Sequence, residues 1–245
     1  MILIKDMQDK KPSISIFFPF LNDWGTVGSL IGLAISTVEK LTDDWEVIII
    51  NDGSDKSDRE ALEKIINSKR IRIIDHEKNR GYGGALRSGF ESATKDLIFY
   101  TDCDAQYDPR ELTKLYSAMK SDIGMVNGYK IKRNDPWIRI AAGRIYHHIV
   151  KIAFGLPIRD TDCDFRFIRR EVFDKVKLFE NTGTICVELV KKIDHSGFRI
   201  VEVPVHHYWR TSGHSQFFNF ERLLKTGINL FKLWWKLIIK RNYVS

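Results

Sequence analysis

The sequence has few cysteines and no long uncharged apolar run, and both shortages narrow the class of protein. Its 245 residues include three cysteines, Cys103, Cys163 and Cys186, without CxxC or Cys/His zinc spacing. An odd number spaced in this way argues against a disulfide framework and structural zinc, and favours a reducing cytosol. No apolar run reaches the ~18 to 20 residues of a transmembrane helix, and residues 1–12 lack the apolar core of a signal peptide. We therefore expect a soluble protein or one bound to a membrane surface.

The composition suffices for one large domain, and the charge indicates an anionic partner. Of the residues, 43% are hydrophobic and 12% aromatic, and the net charge is +7 at pH 7. Such a basic balance suits a nucleotide, an anionic lipid headgroup or nucleic acid without choosing among them. No internal repeat or low-complexity linker divides the chain. We assign residues 1–215 to one large domain and residues 216–245 to a C-terminal amphipathic extension.

Short apolar runs alternate with helical patterns, which is typical of an α/β fold with a mainly parallel sheet. Each of the first four predicted strands ends in polar or glycine residues, and ligands of open parallel sheets bind beyond the carboxyl ends of the strands. Those ends are therefore where the chemistry is expected. The predicted strands are 13–18, 45–50, 71–75, 96–101, 124–129 and 198–203, and the main predicted helices are 26–41, 59–67, one ending at Thr94, 137–153 and 184–196.

The strongest acidic cluster follows the fourth predicted strand. Asp102 and Asp104 stand two residues apart there, and their carboxylates offer the hard oxygen ligands that Mg²⁺ or Mn²⁺ takes together with substrate phosphates. A metal so placed would neutralise the charge of a departing diphosphate. The competing interpretation is an acidic turn that caps the next helix, with Asp108 as N-cap.

Two further clusters also follow predicted strands. Asp52, in the segment Asn51–Asp55, could accept hydrogen bonds from a nucleobase or a ribose, although this composition equally suits an Asx turn. The glycine-rich segment Asn79–Arg87 could present backbone N–H groups to a phosphate. It lacks the Walker lysine and the third glycine of a dinucleotide fingerprint.

The order and spacing of these clusters carry a family resemblance over residues 13–217. The chain resembles the inverting family 2 glycosyltransferases of the GT-A fold, which has a Rossmann-like, mainly parallel sheet flanked by helices. Three later segments look like the dolichyl- or polyprenyl-phosphate sugar synthase branch. The motifs that carry the resemblance are Pro19–Asp23, Asn51–Asp55, Asn79–Gly89 and Asp102–Gln106, followed by Asp160–Arg166, Glu202–Val205 and Arg210–Ser215.

The resemblance implies roles for individual residues of this chain. Asp52 would read the base, with Pro19, Leu21 and Asp23 lining the rest of the nucleotide pocket. Asp102, Asp104 and Gln106 would hold Mg²⁺ or Mn²⁺ and the diphosphate, and Cys103 lies between the two carboxylates. On the acceptor side, Lys130, Arg139 and Arg210 match the positions that contact phosphate. Gln216 stands where a lysine is usual, and Asp164 replaces a usual small residue.

These roles predict a metal-dependent transfer of a hexose from a UDP- or GDP-sugar to a polyprenyl or dolichyl phosphate, with inversion. Such an acceptor is already an anion, so positioning and electrostatics would supply most of the catalysis. A saccharide or protein hydroxyl would instead need a carboxylate base. The candidates for that base are Asp160, Asp162 and Asp164, which could equally form a solvated turn. A nucleotidyltransferase is the further alternative.

The C-terminal segment has the pattern of an amphipathic helix. This pattern predicts a helix lying on the cytoplasmic face of a membrane, and the alternatives are packing on the catalytic domain or an oligomer interface. Whether a membrane subunit or a second copy takes part stays open, and we expect no nucleic acid partner. At helical spacing the polar stripe is Arg222, Lys225, Asn229, Lys232, Lys236 and Lys240, and the broad apolar face is Leu223, Leu224, Phe231, Trp234, Trp235 and Ile238.

Overall fold

One seven-stranded sheet with helices on both faces organises the chain. A computed structural model describes residues 11–22, 24–66, 68–131, 137–209 and 220–243. The strand order is β3-β2-β1-β4-β6-β5-β7, and only β6 runs antiparallel to its two neighbours. The prediction of a mainly parallel sheet is therefore confirmed. The strands are Ile14–Phe20 (β1), Trp45–Asn51 (β2), Ile71–Asp75 (β3), Leu97–Thr101 (β4), Ile123–Lys130 (β5), Phe165–Arg169 (β6) and Arg199–Val205 (β7).

The helices follow the predicted order, with two short ones that are absent from the main predicted helices, although the interpretation of Asp108 as an N-cap implied a helix after it. The short ones are Leu112–Ala118 (α4) and Val172–Lys175 (α6), and neither is long enough for a helical period to show. The predicted helix over 59–67 begins earlier, at Lys56. The others are Trp24–Val38 (α1), Lys56–Ile65 (α2), Tyr82–Ser92 (α3), Trp137–Phe154 (α5), Ile185–His195 (α7) and Phe220–Trp234 (α8), which continues as a π-helical turn over Trp235–Ile239.

The core lies on both faces of the sheet, because its central strands are apolar at nearly every position. Successive side chains alternate between the faces, so Phe18 and Phe99 belong to one buried cluster and Phe17 and Tyr100 to the other. The rings of Phe17 and Tyr100 stack with their centroids 5.2 Å apart. This packing fixes the strand ends on which the polar side chains are carried.

Strand β6 was absent from the sequence prediction, and a buried charge explains the omission. Arg166, the second residue of β6, is fully buried, although arginine normally indicates an exposed position. Its guanidinium donates to Asn127 Oδ1 at 2.8 Å, to the Tyr100 hydroxyl at 2.8 Å and to the Thr161 carbonyl at 2.6 Å. These hydrogen bonds provide the compensation that a buried cation requires.

Part of the apolar face of the C-terminal helix packs against the core cluster that contains Phe17 and Tyr100. Leu233 and Leu237 are buried, and the Trp234 indole donates to the Ala153 carbonyl of α5 at 2.9 Å. The sequence predicted one apolar face that contains both Trp234 and Trp235. In the structure this face is divided, because Trp234 contacts α5 whereas Trp235 is 47% exposed. Among the described residues, none of the helices combines the length and the hydropathy that crossing a bilayer requires.

Candidate active site

One edge of the sheet collects the acidic and amide side chains that the sequence singled out. The parallel strands β1, β2 and β4 end there, and β5 and β7 end at the same edge. Because β6 runs the opposite way, its amino end comes to this edge as well. The antiparallel strand therefore brings the segment Asp160–Asp164 to the side where β4 delivers Asp102 and Asp104.

The loop after β4 holds its two carboxylates in different settings. Asp104 is 5% exposed, and its Oδ1 accepts the Gln106 N–H at 3.0 Å. Asp102 is half-buried, and its Oδ1 accepts the Tyr82 hydroxyl at 2.8 Å. Ala105 has φ of 59°, a left-handed conformation that costs a residue with a Cβ about 1 kcal/mol or more. The loop thus keeps a strained bend between the carboxylates and Gln106.

Cys103 and Gln106 attach this loop to its surroundings. The buried Cys103 accepts the Thr26 hydroxyl with its carbonyl. Gln106 pairs with the segment after β7, since its carbonyl accepts the Tyr208 N–H at 2.9 Å and its side-chain amide donates to the Tyr208 carbonyl at 3.2 Å. The predicted role of Gln106 toward metal stays a prediction, and the structure adds a second role in tethering the loop.

The chemistry of the loop fits a divalent metal that is shared with a substrate. No group of three or more His, Cys, Asp or Glu side chains that could enclose a metal occurs within the described ranges. Two carboxylates together with substrate phosphates are the usual ligands of Mg²⁺, which is rarely held in an all-protein cage. Asp102 and Asp104 therefore suit a metal that arrives with, or is completed by, a diphosphate.

Asp52 lies at the end of β2 and is one of the few buried carboxylates. It is 3% exposed, and its Oδ1 accepts the ring Nδ1–H of His76 at 2.6 Å and the backbone N–H of Arg80 at 2.8 Å. In the register of the sheet, the predicted pocket residue Pro19 lies beside Ile50, two residues before Asp52. Leu21 is 38% exposed at the end of β1, whereas Asp23 lies outside the described residues.

The glycine-rich turn packs on protein rather than presenting all of its N–H groups to a ligand. The Gly83 N–H donates to the Asn181 carbonyl at 3.0 Å, and a Cβ at Gly83 would lie 2.4 Å from the Glu180 carbonyl oxygen. Glycine is needed here for close approach of two backbones. The turn also carries Tyr82, and burial followed by the Asp102 charge raises the pKa of Tyr82 well above its ordinary value. Tyr82 therefore remains a neutral hydrogen-bond donor to Asp102.

The predicted acceptor side is described only in part. Lys130 at the end of β5 has a side chain that is 7% exposed, and its ammonium donates to the Asp162 carbonyl at 2.6 Å and lies 3.8 Å from Asp160. Arg139 is on α5, but its side chain lies outside the described part of the chain. Arg210 and Gln216 also fall outside it. The structure thus places Lys130 at the edge of the sheet that carries Asp102 and Asp104. The predicted phosphate contacts of Arg139 and Arg210 stay predictions.

Asp164 and Cys186 meet beneath this edge. The Cys186 thiol donates to Asp164 Oδ1 at 3.1 Å. Burial, followed by the Asp164 charge, raises the pKa of Cys186 well above its ordinary value, and burial raises that of Cys163 to about 12. Neither thiol has thiolate character, which agrees with the absence of disulfides among the described cysteines. Cys163 and Cys186 are therefore small buried residues rather than reactive groups, and Cys103 is buried as well.

Two positioning side chains escaped the sequence analysis. His76 and Tyr82 contact the predicted site carboxylates Asp52 and Asp102 directly. A signal was present in each case, because His76 directly follows a predicted strand and Tyr82 lies inside the glycine-rich motif. Periodicity and motif spacing do not reveal which side chains from different segments touch, so only the fold could pair them.

Comparison with known proteins identifies the family. The family model described as Glycosyl transferase family 2 matches residues 15–177. This range contains Asp52, the glycine-rich segment Asn79–Arg87, the pair Asp102 and Asp104, and the carboxylates before β6. Membership of this family decides against the nucleotidyltransferase alternative.

Solved structures of one enzyme have a similar fold. Glucosyl-3-phosphoglycerate synthase from Mycobacterium tuberculosis in complex with phosphoglyceric acid is 17% identical, with a TM-score of 0.70 over 92% of this chain and 79% of that one. The same enzyme with Mn²⁺, UDP and glucosyl-3-phosphoglycerate is 18% identical, with a TM-score of 0.67 over 91% and 77% of the two chains. At this identity the likeness establishes the shared GT-A fold, as predicted.

Proposed function

The chain belongs to glycosyltransferase family 2, and we propose that it transfers a hexose, with inversion, from a UDP- or GDP-sugar to a polyprenyl phosphate at a membrane surface. The observation that carries the donor half is the position of Asp102 and Asp104 at the same sheet edge as the buried Asp52. A base-reading carboxylate and a diphosphate-binding pair are the two recognition elements that a nucleotide-sugar needs. Mg²⁺ or Mn²⁺ is the proposed cofactor, as in the complexes of the similar enzyme with Mn²⁺ or Mg²⁺ and UDP.

The metal, when bound, would stabilise the negative charge that develops on the departing nucleoside diphosphate. Asp102 and Asp104 would hold it, with Tyr82 keeping the Asp102 carboxylate oriented. The tether between Gln106 and Tyr208 keeps this loop from moving away from the sheet edge. In-line attack then depends on how the acceptor is placed rather than on strong base catalysis, since a phosphate monoester is already anionic.

For the acceptor half, the supporting groups are the cation at the end of β5 and an apolar surface. Lys130 lies at the site edge between β5 and the segment before β6. An acceptor phosphate there would compete with Asp160 for the ammonium group, which lies 3.8 Å from that carboxylate. Arg139 and Arg210, which the resemblance assigns to phosphate, would complete this subsite.

Exposed apolar side chains on α5 and α8 support a membrane-bound acceptor. They recur at helical spacing on two helices that are joined by the Trp234 hydrogen bond. Exposed lysines accompany them, Lys225 and Lys232 on α8 and Lys240 directly after its π-helical turn. A surface of this kind suits a helix lying in the headgroup region of an anionic membrane. The exposed residues are Ile145, Ile149 and Ile152 on α5, and Leu224, Ile228, Phe231, Trp235 and Ile239 on α8 and its π-helical turn.

A second candidate is transfer to a hydroxyl of a small anionic acceptor. The similar enzyme was solved with phosphoglyceric acid and with glucosyl-3-phosphoglycerate. Here β6 brings Asp160, Asp162 and Asp164 to the site edge, where one of them could serve as the required base. Asp164 is the carboxylate that departs from the usual family pattern, and its contact with Cys186 places it next to α7.

The test is an incubation of the protein with Mn²⁺ and radiolabelled UDP- or GDP-hexoses in three arms. The arms contain a polyprenyl phosphate in detergent, 3-phosphoglycerate, or a simple saccharide. We expect lipid-extractable label and release of the nucleoside diphosphate in the first arm. Label that appears only in a water-soluble product would show that the acceptor is a hydroxyl and not a lipid phosphate. Activity measurements on the Asp160→Asn, Asp162→Asn and Asp164→Asn variants would then identify the base.

Membrane docking predicts a separate result with vesicles. Replacing Phe231 and Trp235 together with alanine should weaken binding to vesicles rich in phosphatidylglycerol by at least about tenfold, because each side chain contributes roughly 1.5 to 3 kcal/mol when buried. Vesicle flotation measures the effect. Ile131→Ala is the matched control, since Ile131 is 53% exposed and lies on neither helix. Equal binding of the double variant and the control would contradict the docking surface.

A further inference from the structure

A chain of three polar side chains, two of them buried, stands behind the proposed base-reading position. His76 Nδ1 lies 2.6 Å from Asp52 Oδ1, and His76 Nε2 lies 2.8 Å from the Ser88 hydroxyl. The side chains of His76 and Asp52 are 2% and 5% exposed. The three residues come from the end of β2, the position after β3 and the middle of α3. The chain therefore joins three elements below the surface of the site.

The chemistry of the groups fixes the direction of these hydrogen bonds. A carboxylate only accepts, so Nδ1 of His76 carries the proton that it shares with Asp52. Nε2 then accepts the hydroxyl hydrogen of Ser88 in the neutral ring, and the same hydroxyl can accept from the charged ring. The Arg80 N–H also donates to Asp52 Oδ1 at 2.8 Å. Two donors therefore converge on one oxygen, and no described residue donates a hydrogen bond to Oδ2.

This arrangement sets the carboxylate plane before any ligand arrives. The backbone of His76 is itself fixed, because its N–H donates to the Asn51 carbonyl at 2.9 Å. Gly53, at φ of 75°, allows the glycine-rich turn to approach directly, since a Cβ at Gly53 would lie 2.7 Å from the Asn79 nitrogen. Asp52 is thus held from both sides, and rotation of its side chain would leave a buried donor unpaired at a substantial free-energy cost.

We propose that His76 is a positioning residue that aims Asp52 Oδ2 at a ring N–H of the donor nucleobase. The inference rests on the proposed function and deepens it, because it states how the site would distinguish bases. Uracil and guanine carry a ring N–H at their pairing edge, whereas adenine and cytosine present a ring nitrogen without hydrogen. With Asp52 Oδ2 fixed as a hydrogen-bond acceptor, uracil and guanine can donate to it. Adenine and cytosine would instead place a second acceptor, their ring nitrogen, against this oxygen. His76 acts only through Asp52 and does not touch the reacting atoms.

The experiment measures nucleotide binding with Mn²⁺ by calorimetry in His76→Leu, His76→Asn and Ser88→Ala proteins. His76→Leu removes the donor to Asp52, whereas the amide of His76→Asn can still supply one. We expect His76→Leu to lower the affinity for the preferred diphosphate, UDP or GDP, by about 10- to 100-fold, with little change for ADP or inorganic pyrophosphate. His76→Asn should retain most of the wild-type affinity. Ser88→Ala should lower the affinity for the preferred diphosphate less than His76→Leu does, again with little change for ADP or pyrophosphate. His148→Leu, at an exposed histidine of α5, is the control.

The outcomes separate this inference from the function on which it rests. Equal losses for UDP or GDP, ADP and pyrophosphate would overturn it, because they indicate a general structural role. Wild-type affinity in His76→Leu would overturn it as well. If His76→Leu does not fold, ¹⁵N NMR of the wild-type histidines decides, since an Nδ1 without a proton contradicts the proposed hydrogen bond. A wild-type protein that binds no nucleoside diphosphate would overturn both the proposed function and this inference.

Discussion

Asp102→Asn and Asp104→Asn are each expected to lower kcat/KM for sugar transfer by about 10²- to 10³-fold, the range seen when one group that stabilises developing charge is removed. An amide has nearly the shape of the carboxylate but lacks its charge, and a divalent metal prefers the charged oxygen. Asp104 is buried and Asp102 is half-buried. Steady-state kinetics and titration of Mn²⁺ followed by electron paramagnetic resonance measure the two effects independently.

Asp108→Asn provides the matched control for these variants. Asp108 lies four residues after Asp104 and accepts the Arg110 N–H at 2.9 Å as the N-cap of the short helical turn over Pro109–Glu111. Asparagine caps a helix about as well as aspartate, so this variant should retain both stability and activity. An equal loss of activity in Asp108→Asn, or unchanged Mn²⁺ binding in the other two variants, would refute the metal assignment.

Glu188→Ala is expected to lower the free energy of unfolding by about 3 to 5 kcal/mol, the usual cost of removing one partner of a buried ion pair. Glu188 and Lys192 lie 3.0 Å apart on α7, and their side chains are 0% and 1% exposed. The Glu188 carboxylate also accepts the backbone N–H groups of Phe179 and Glu180, at 3.1 and 2.9 Å. Denaturation by urea, followed by circular dichroism, measures the change.

Replacing both partners tests whether the effect comes from the isolated charge. Burial raises the pKa of Glu188 and lowers that of Lys192, which shows that each charged form loses hydration. Because the folded pKa of Glu188 is raised, its contribution to stability is present at low pH and is lost as the pH rises through that pKa. The double variant Glu188→Met with Lys192→Met leaves no buried charge without a partner, so it should be more stable than Glu188→Ala. A loss below about 1 kcal/mol in Glu188→Ala would contradict the argument.

This pair supports the site although it is remote from it. Glu188 fixes the segment that includes Phe179 and Glu180, and the adjacent Asn181 carbonyl accepts the Gly83 N–H of the glycine-rich turn. That turn carries Tyr82, which contacts Asp102. A buried ion pair, which is weak support for stability by itself, here secures the backbone against which the turn is placed.

The strand ends that carry Asp52, Asp102 and Asp104 could be predicted from the sequence, and the strand that brings Asp160–Asp164 to the same edge could not. Strand Ile71–Asp75 was predicted with its observed bounds, because apolar runs that end in polar residues give a clear local signal. Strand β6 was not, since Arg166 is buried by partners that are distant in sequence. Without β6, the sequence could not show at which edge of the sheet the segment Asp160–Asp164 lies.

The C-terminal helix shows the same limit. Helical spacing grouped Trp234 with Trp235, but one side chain binds the Ala153 carbonyl and the other is 47% exposed. Spacing defines which side chains share a face and does not show where a neighbouring helix divides that face. The contact with α5 is a tertiary feature, and so is the pairing of His76 with Asp52.

The order of the strands has a consequence for how the chain folds as it is synthesised. Strands β3, β2, β1 and β4 form one contiguous side of the sheet, and all their mutual pairings are complete once Thr101 has left the ribosome. The other side closes last, because β5 must await β7, about 75 residues later in the chain. The side of the sheet that carries Asp52, Asp102 and Asp104 can thus take shape first and act as the template against which β6 docks. Errors in assembly are then expected to concentrate at the boundary between β4 and β6.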